Sequence, residues 1–265
     1  MIQAQRYIDM LSQIMDRGTE IYPRGTQCRE IEDLQLRVDP NFPFMTFAAR
    51  KYDVSYFKKE MRWKLGASKY DESIKEVAKM WDKVQNPDGT FNSNYGQYWF
   101  GEQHGIWDVV MELIRDEDSR KAVIPMLNVS HMSPQTVDTV CTECVGFRIR
   151  DGKLNMSVHM RSSDVIFGLG TDVPTFSFLY RLVLGLVESQ YNRLLTGEII
   201  ITAMSSHIYD RHYFMVDQIL MDGDEFYTSE YMPYCDFSEA MAIIASRGRL
   251  DLLPSTGELG RWLCG

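Results

Sequence analysis

The chain has 265 residues, with 28 lysines and arginines against 37 aspartates and glutamates, a formal net charge of −9. That field opposes general attraction to nucleic acid, so an anionic ligand needs a local cluster of cationic side chains. No run of about eighteen apolar residues occurs, which excludes a spanning helix. The cysteines, Cys28, Cys141, Cys144, Cys235 and Cys264, are odd in number and scattered, which speaks against a disulfide framework and for reduced thiols in a soluble, intracellular, cytoplasmic protein.

A hydrophobic content of 45% over 30.8 kDa suffices for a sizeable core, and one domain over residues 1–265 is expected. Ile8, Leu11, Ile14 and Met15 recur at helical spacing, and the helix should stop near Gly18. The start reads as an amphipathic helix carrying acids, not as a signal peptide. Tyr22-Pro23-Arg24-Gly25-Thr26 is a turn in which a guanidinium and backbone amides could approach a phosphate, although ordinary turn chemistry accounts for the same residues. Residues 56–66 predict a helix with Glu60 and Trp63 on one face; a lone helical glutamate is by default solvated. Trp81, near a helix end, reads on its own as core packing. Asn86-Pro87-Asp88-Gly89 is a turn, and Asn94 to Trp99, which includes Tyr95, follows it. Gly101 to Arg115 predicts a second amphipathic helix, closed by the charged loop Asp116 to Lys121.

Val145, Phe147 and Ile149 alternate with Gly146, Arg148 and Arg150, the pattern of a half-buried strand. Asp151-Gly152 is a two-residue hairpin signal, with a return strand from Lys153 to Arg161. The hairpin sets Cys141 at the mouth of one strand and Arg161-Ser162-x-Asp164 at the end of its neighbour, so that both face one cavity. Cys141-x-x-Cys144 could be read as a redox or metal pair. It falls short of the four ligands of a structural zinc site, and in a strand the two thiols point to opposite faces, so no metal is expected. Residues 176–195 are apolar on most faces and predict a central buried helix. Glu198 to Met204 predicts a strand that delivers His207 and Tyr209 to the cavity on one side. Residues 222–265 show no usable motif.

Cys141 before a strand, Arg161-Ser162-Ser163-Asp164, Phe167-Gly168, and His207-Ile208-Tyr209 with His212 resemble, in order and spacing, the motif series of the thymidylate synthase superfamily over roughly residues 17 to 220. The match is nearest to its cytidylate branch, the deoxycytidylate hydroxymethylases. The resemblance implies an α/β (α+β) fold, a large mixed β-sheet with flanking helices, and a homodimer that pairs sheets back to back. It implies that Cys141 is the nucleophile, that Glu60 organises water and aids proton transfer, and that Tyr95 relays protons. Arg24, with Arg120 and Lys121 from the other subunit, would hold a nucleotide phosphate; Arg161 would contact substrate and stabilise the Cys141 thiolate, and Ser162, Asp164, His207 and Tyr209 would contact substrate. Trp81 and Asp164 would contact folate. Lys121 stands where the family keeps a second arginine, so charge is kept and the bidentate fork lost. Gly260 to Gly265 lacks the family's Ala-Pro-containing hydrophobic tail, so site closure by this segment is not implied.

Carbon 5 of a pyrimidine becomes nucleophilic once a thiolate adds to carbon 6. The resemblance gives 5,10-methylenetetrahydrofolate as the one-carbon donor. Departure of the folate leaves an exocyclic methylene, which hydride converts to methyl and water to hydroxymethyl. Synthases end the motif after Phe-Gly with an asparagine suited to uracil, whereas this chain has Asp172. A carboxyl group can accept from the cytosine amino group and share a proton with N3. On local sequence Asp172 also reads as a loop acid or a helix N-cap before Val173-Pro174. Met160 and Thr142, in place of the synthases' glutamine and histidine, also match the cytidylate branch. The expected activity is 5-hydroxymethylation of dCMP or CMP in a bacterial or phage-infected cell. Methylation of dUMP or dCMP, and an inactive nucleotide-binding scaffold of the same fold, are the alternatives.

Overall fold

The structure is a computed structural model that describes residues 2–101, 104–191 and 194–265. Helix α1 (Ile2–Arg17) ends where Gly18 N donates to Ile14 O at 3.0 Å. Strands β1 (Thr19–Ile21) and β2 (Cys28–Val38) follow, then α2 (Val54–Gly66) and the short helices α3 (Ile74–Val77), α4 (Trp81–Val84) and α5 (Gly96–Trp99). Helix α6 spans Ile106–Arg115, and β3 (Val123–Pro125) precedes the hairpin of β4 (Thr142–Arg150) and β5 (Lys153–Met160). A two-residue strand, β6 (Ser163–Asp164), leads into α7 (Gly168–Glu188); β7 (Leu195–Tyr209), α8 (Tyr213–Asp222), α9 (Phe237–Ser246) and α10 (Glu258–Cys264) complete the order.

The strands form one mixed sheet in the order β1-β2-β7-β5-β4-β3, with β6 beside the end of β7. The β5–β7 and β6–β7 pairs are parallel; the other pairs are antiparallel. Asp151 (φ 52°) and Gly152 (φ 66°) close the predicted hairpin with both turn residues left-handed, the geometry that matches strand twist. Val145, Phe147 and Ile149 are buried with Leu154, Met156, Val158, Ile199 and Ile201, and α7 contributes Phe176, Phe178, Leu179 and Val183 to the same core. The opposite face carries Gly146, Arg148, Ser157, Ile200 and Thr202 half-buried, with His159 and Met204 exposed.

Several boundaries differ from the sequence reading. Helix α6 begins at Ile106, after Gly105, and not at Gly101; Glu102 and Gln103 lie outside the described residues. Helix α7 starts eight residues before Phe176 and runs through Pro174, so Asp172 belongs to the helix and neither to a loop nor to an N-cap. Pro174 removes one backbone donor, but Val173 and Phe176 beside it are fully buried, and packing outweighs that loss. Strand β7 is longer than Glu198–Met204 because pairing with β5 already begins at Leu195 and Thr196. Trp81 stands at the N-terminal end of the four-residue helix α4. Strand β2, which carried no strand signal, pairs with β7 from Cys28 to Val38.

Helices α7 and α9 meet at Gly185, where a Cβ would lie 2.5 Å from Cys235 O and 2.9 Å from Asp236 O. Asp236 also caps α9 by accepting from Glu239 N at 2.8 Å. Gly185→Ala is expected to cost about 1–3 kcal/mol through overpacking against backbone, read as a lowered urea midpoint at unchanged slope; an unaltered midpoint would contradict the contact.

Candidate active site

The site is built where α2, the first turns of α7 and one end of the sheet converge. Asp53 caps α2 by accepting from Tyr56 N at 2.9 Å, and Ala67 ends it in the left-handed conformation. Between these caps Glu60 and Lys64, one turn apart, both point inward. Lys64 Nζ lies 2.6 Å from Glu60 Oε1, with side-chain exposures of 4% and 6%. Lys64 also donates to Thr175 Oγ1 at 3.2 Å and stands 5.0 Å from the Tyr95 ring centroid. Glu60 Oε2 is buried without a hydrogen-bond partner among the described residues. Tyr95 OH accepts from Thr142 Oγ1 at 3.2 Å. Burial, then the charges of Asp172 and Cys141, push the Tyr95 phenol well above its ordinary range.

Cys141 directly precedes β4, and Arg161 directly follows β5, as the hairpin predicts. Arg161 N donates to Cys141 O at 2.8 Å. Its side chain donates to Val140 O (2.9 Å) and Thr139 O (2.7 Å), leaving Nη2 3.6 Å from Cys141 Sγ. One guanidinium thus shapes the nucleophile loop and faces the sulfur. Burial pushes the Cys141 thiol up, Arg161 opposes this, Asp172 and Asp138 add to it, and Arg24 opposes it weakly. Asp172 is raised to about 7, chiefly by burial; Lys64 pulls it down, while Glu60 and Asp164 push it up.

Cys141 lines two adjoining cavities. The first, of about 540 Å³, also holds Glu60, Lys64, Tyr95, Asp164 and Asp172, with Tyr52, Trp81 and Phe167 as aromatic walls. The second, of about 520 Å³, is bordered by Arg24, Arg161, Ser162, His207 and Tyr209, with Trp81 shared. His207 and Tyr209 lie on one side of β7, ring centroids 5.0 Å apart. Arg24 sits in a tight turn at φ 51°, followed by Gly25 at φ 79°. Asp164 Oδ1 accepts from Ile166 N at 2.9 Å, which holds it at the end of β6.

Arg120 and Lys121 do not join these residues within one chain. Arg120 borders a third cavity on the other side of the sheet with Cys144, Arg148, Arg150 and His159. Lys121 lies beside α6 with Glu112 and Arg115. Cys141 and Cys144 therefore open into different cavities. None of the residues 229–265 lines either Cys141 cavity. Helix α10 is held on α2 by Arg62, which donates to Leu263 O at 2.6 Å, and by Trp262 against Phe44 and Phe57.

Sequence reasoning missed four members of the site. Lys64 is readable as an i, i+4 partner of Glu60, but its burial is not. Arg50, 5% exposed, lies over Phe167 and Tyr52, and only the fold brings it there. Glu30 pairs in register with His207 and accepts from the Ser205 hydroxyl, a link that needs β2 to be known. Tyr56 accepts from Trp81 Nε1 at 3.2 Å and fixes the indole in the first cavity.

The chain matches the family model described as thymidylate synthase over residues 5–228. It is similar to the deoxycytidylate 5-hydroxymethyltransferases of Enterobacteria phages T4, T2 and T6, at 32%, 33% and 32% identity over 178 residues, 64% of this chain and 72% of each relative.

Arg161→Met removes the cation nearest Cys141 Sγ and should push the thiol further up. At pH 8 the rate of Cys141 alkylation by iodoacetamide, followed by peptide mass spectrometry, is expected to fall roughly tenfold for each unit of that shift. A faster or equal rate would remove Arg161 as the thiolate's counter-charge.

Proposed function

The chain belongs to the thymidylate synthase family, and from that premise we propose that it transfers a one-carbon unit to carbon 5 of a cytidine 5'-monophosphate, dCMP or CMP, and yields the 5-hydroxymethyl product. The observation that carries this reading is Asp172, a carboxyl group raised to about 7 in the cavity that also holds Cys141 and Glu60. Such a group can share a proton with N3 and accept from the amino group on carbon 4, a pattern complementary to cytosine and not to uracil. The phage relatives are named for the same base.

The second cavity suits the nucleotide. Arg24 and Arg161 supply cations for a phosphate despite the net charge of −9, and His207 with Tyr209 can bind a sugar hydroxyl. The flat walls of Trp81, Tyr52 and Phe167, with Asp164 as an acceptor, suit the rings of 5,10-methylenetetrahydrofolate. That co-substrate supplies the one-carbon unit. Cys141 adds to carbon 6 as Asp172 delivers a proton to N3, Tyr95 relays the proton lost from carbon 5 through water, and Glu60 activates the water that adds last. Residues 1–265 act in this reading as one catalytic domain. The half-open face of the sheet pairs with a second copy, which carries Arg120 and Lys121 to the partner's phosphate.

Incubation with dCMP and methylenetetrahydrofolate is expected to give 5-hydroxymethyl-dCMP without dihydrofolate, scored by mass spectrometry and absorbance. Cys141→Ala should abolish turnover and keep nucleotide binding measurable. A methyl product accompanied by dihydrofolate would sink the hydroxymethylase reading, and an inactive wild type that binds dCMP would make the chain a binding protein.

The reactive form carries one proton on the Asp172–Cys141 pair, placed on the acid while the sulfur is a thiolate. Since Asp172 titrates near 7 and Cys141 above its ordinary range, the doubly protonated pair loses its first proton with the lower value. kcat/KM is therefore expected to rise through about pH 7 and to fall again as Cys141's proton is lost. Asp172→Asn should remove the limb near 7, leave a single rise at the higher pH where the Cys141 thiol ionises with no fall above it, and shift preference toward deoxyuridylate, by up to ~10⁴-fold if the polar pairing is the main discriminator. An intact limb, or an undiminished cytosine preference, would assign Asp172 to structure alone.

A further inference from the structure

Lys64 takes no part in the steps above, yet it is the most deeply buried cation bordering either Cys141 cavity, at 3% exposure. An ammonium group at that depth is expensive unless its charge is answered. It is answered by Glu60 Oε1 at 2.6 Å, by Thr175 Oγ1 at 3.2 Å, and by the face of Tyr95 at 5.0 Å. These partners stand on α2, on α7 and at the start of α5, so Nζ is fixed from three directions. The contact also fixes the partner. With Oε1 taken by Lys64, Glu60 has one free carboxylate oxygen, Oε2, and that oxygen is buried with no partner among the described residues. A buried carboxylate oxygen of this kind is normally satisfied by water or by substrate.

We propose that Lys64 is a positioning residue for the hydration step, holding Glu60 through Oε1 so that Oε2 takes a proton from the water that adds to the exocyclic methylene. The inference rests on the reaction proposed above. In that step the water oxygen bonds to the methylene carbon while one water proton passes to Glu60 Oε2. The methylene π electrons become the C5–C6 double bond, the bond from C6 to Cys141 Sγ breaks, and the thiolate is returned. Glu60 then loses its proton to solvent, and no oxidant or reductant is consumed. Hydride competes for the same carbon, so the placement of this one water decides the product.

Lys64 reaches a second carboxyl group. Glu60 and Lys64 face Asp172 from α2, with the Tyr56 phenol beside Glu60 on the same helix; Asp164 faces it from β6, Tyr95 from the start of α5 and Cys141 from the sheet end, while Arg50 and Tyr52 border the same cavity. Among these neighbours Lys64 is the one that holds Asp172 down. Loss of the ammonium group thus acts on two measurable quantities, the fate of the intermediate and the pH at which activity rises.

Lys64→Met keeps the length of the side chain and removes its charge, whereas Lys64→Arg keeps the charge. Tritium released from carbon 5 of labelled dCMP counts intermediates formed, and 5-hydroxymethyl-dCMP counts those that are hydrated. In the wild type the two should match. In Lys64→Met the product formed per tritium released is expected to fall roughly 10–100-fold, the scale of a misplaced general base. The rising limb should move to higher pH by about half a unit or more, since one unit corresponds to a tenfold change in ionisation. Lys64→Arg should recover most of both. An unchanged ratio, or a ratio that falls while the limb stays in place, overturns the proposal. Wild-type enzyme that releases no tritium overturns the reaction and this inference with it. If Lys64→Met fails to bind dCMP because it does not fold, Glu60→Gln with and without Lys64→Met replaces it. With the carboxylate gone, the lysine substitution should change the ratio no further, and an added drop overturns the proposal.

Discussion

Charge buried in one small volume is the constraint on which the rest of the structure depends. Glu60, Lys64, Asp172 and Cys141 share a cavity of about 540 Å³, where each charge is costly unless another answers it. The Glu60–Lys64 pair meets this condition at 2.6 Å, and removing one partner of so buried a pair costs about 3–5 kcal/mol. Asp172 is not paired in the same way, and its carboxyl group stays neutral up to about pH 7. The cavity thus keeps a carboxylate paired with an ammonium group beside a carboxyl group that has no such partner. In the proposed reaction that difference separates their tasks, one a base toward water and the other an acid toward the ring.

Bringing these groups together needs long-range architecture, and its parts were unequally readable. The β4–β5 hairpin was legible because three local signals agree: alternation at Val145, Phe147 and Ile149, the Asp151-Gly152 turn, and polar residues on the outer face. Helix α1 was legible for a similar reason, a clean apolar stripe ending at glycine. Strand β2 was not. Its middle reads Glu30-Ile31-Glu32-Asp33, and Asp33 takes φ 55°, so neither composition nor alternation announces a strand that is stabilised by β7 and α1. The early start of α7 was hidden by Pro174, whose local preference is outweighed by burial on both sides. Residues 222–265, which hold α9 and α10, offered no usable motif.

The site shows the same division between local and global information. Cys141, Arg161, Ser162, Asp164, His207 and Tyr209 were named from motif spacing, and they line the two cavities because antiparallel and parallel pairing bring every motif to the same end of the sheet. Arg120 and Lys121 were named in the same way and lie away from Cys141, Arg120 bordering the outer face of the sheet and Lys121 lying beside α6, and neither can be turned toward the cavity of its own chain. Lys64 was passed over for a physical reason. A lysine four residues after a glutamate is ordinarily a solvated surface pair, and only the depth of α2 beneath α7 and Tyr95 turns it into a buried contact.

Access of water links the outer architecture to the proposed chemistry. In a methylating enzyme of this family, water that reaches the exocyclic methylene is a side reaction, so its exclusion favours hydride. For hydroxymethylation the same water is a reactant, and it has to arrive in one orientation and not merely be admitted. None of the residues 229–265 borders either Cys141 cavity, and α10 is spent on bracing α2 through Arg62, Phe57 and Trp262. That bracing is not remote from the reaction, because α2 is the element that carries both Glu60 and Lys64. In the proposed reaction the final helix therefore bears on water through the carboxylate that would bind it: it steadies the helix of Glu60 and takes no place in the cavity wall, where Phe167 is exposed at 49% and Trp81 is buried. In that reaction a site arranged in this way would control water by anchoring its acceptor, which is the control that hydration of a reactive carbon requires.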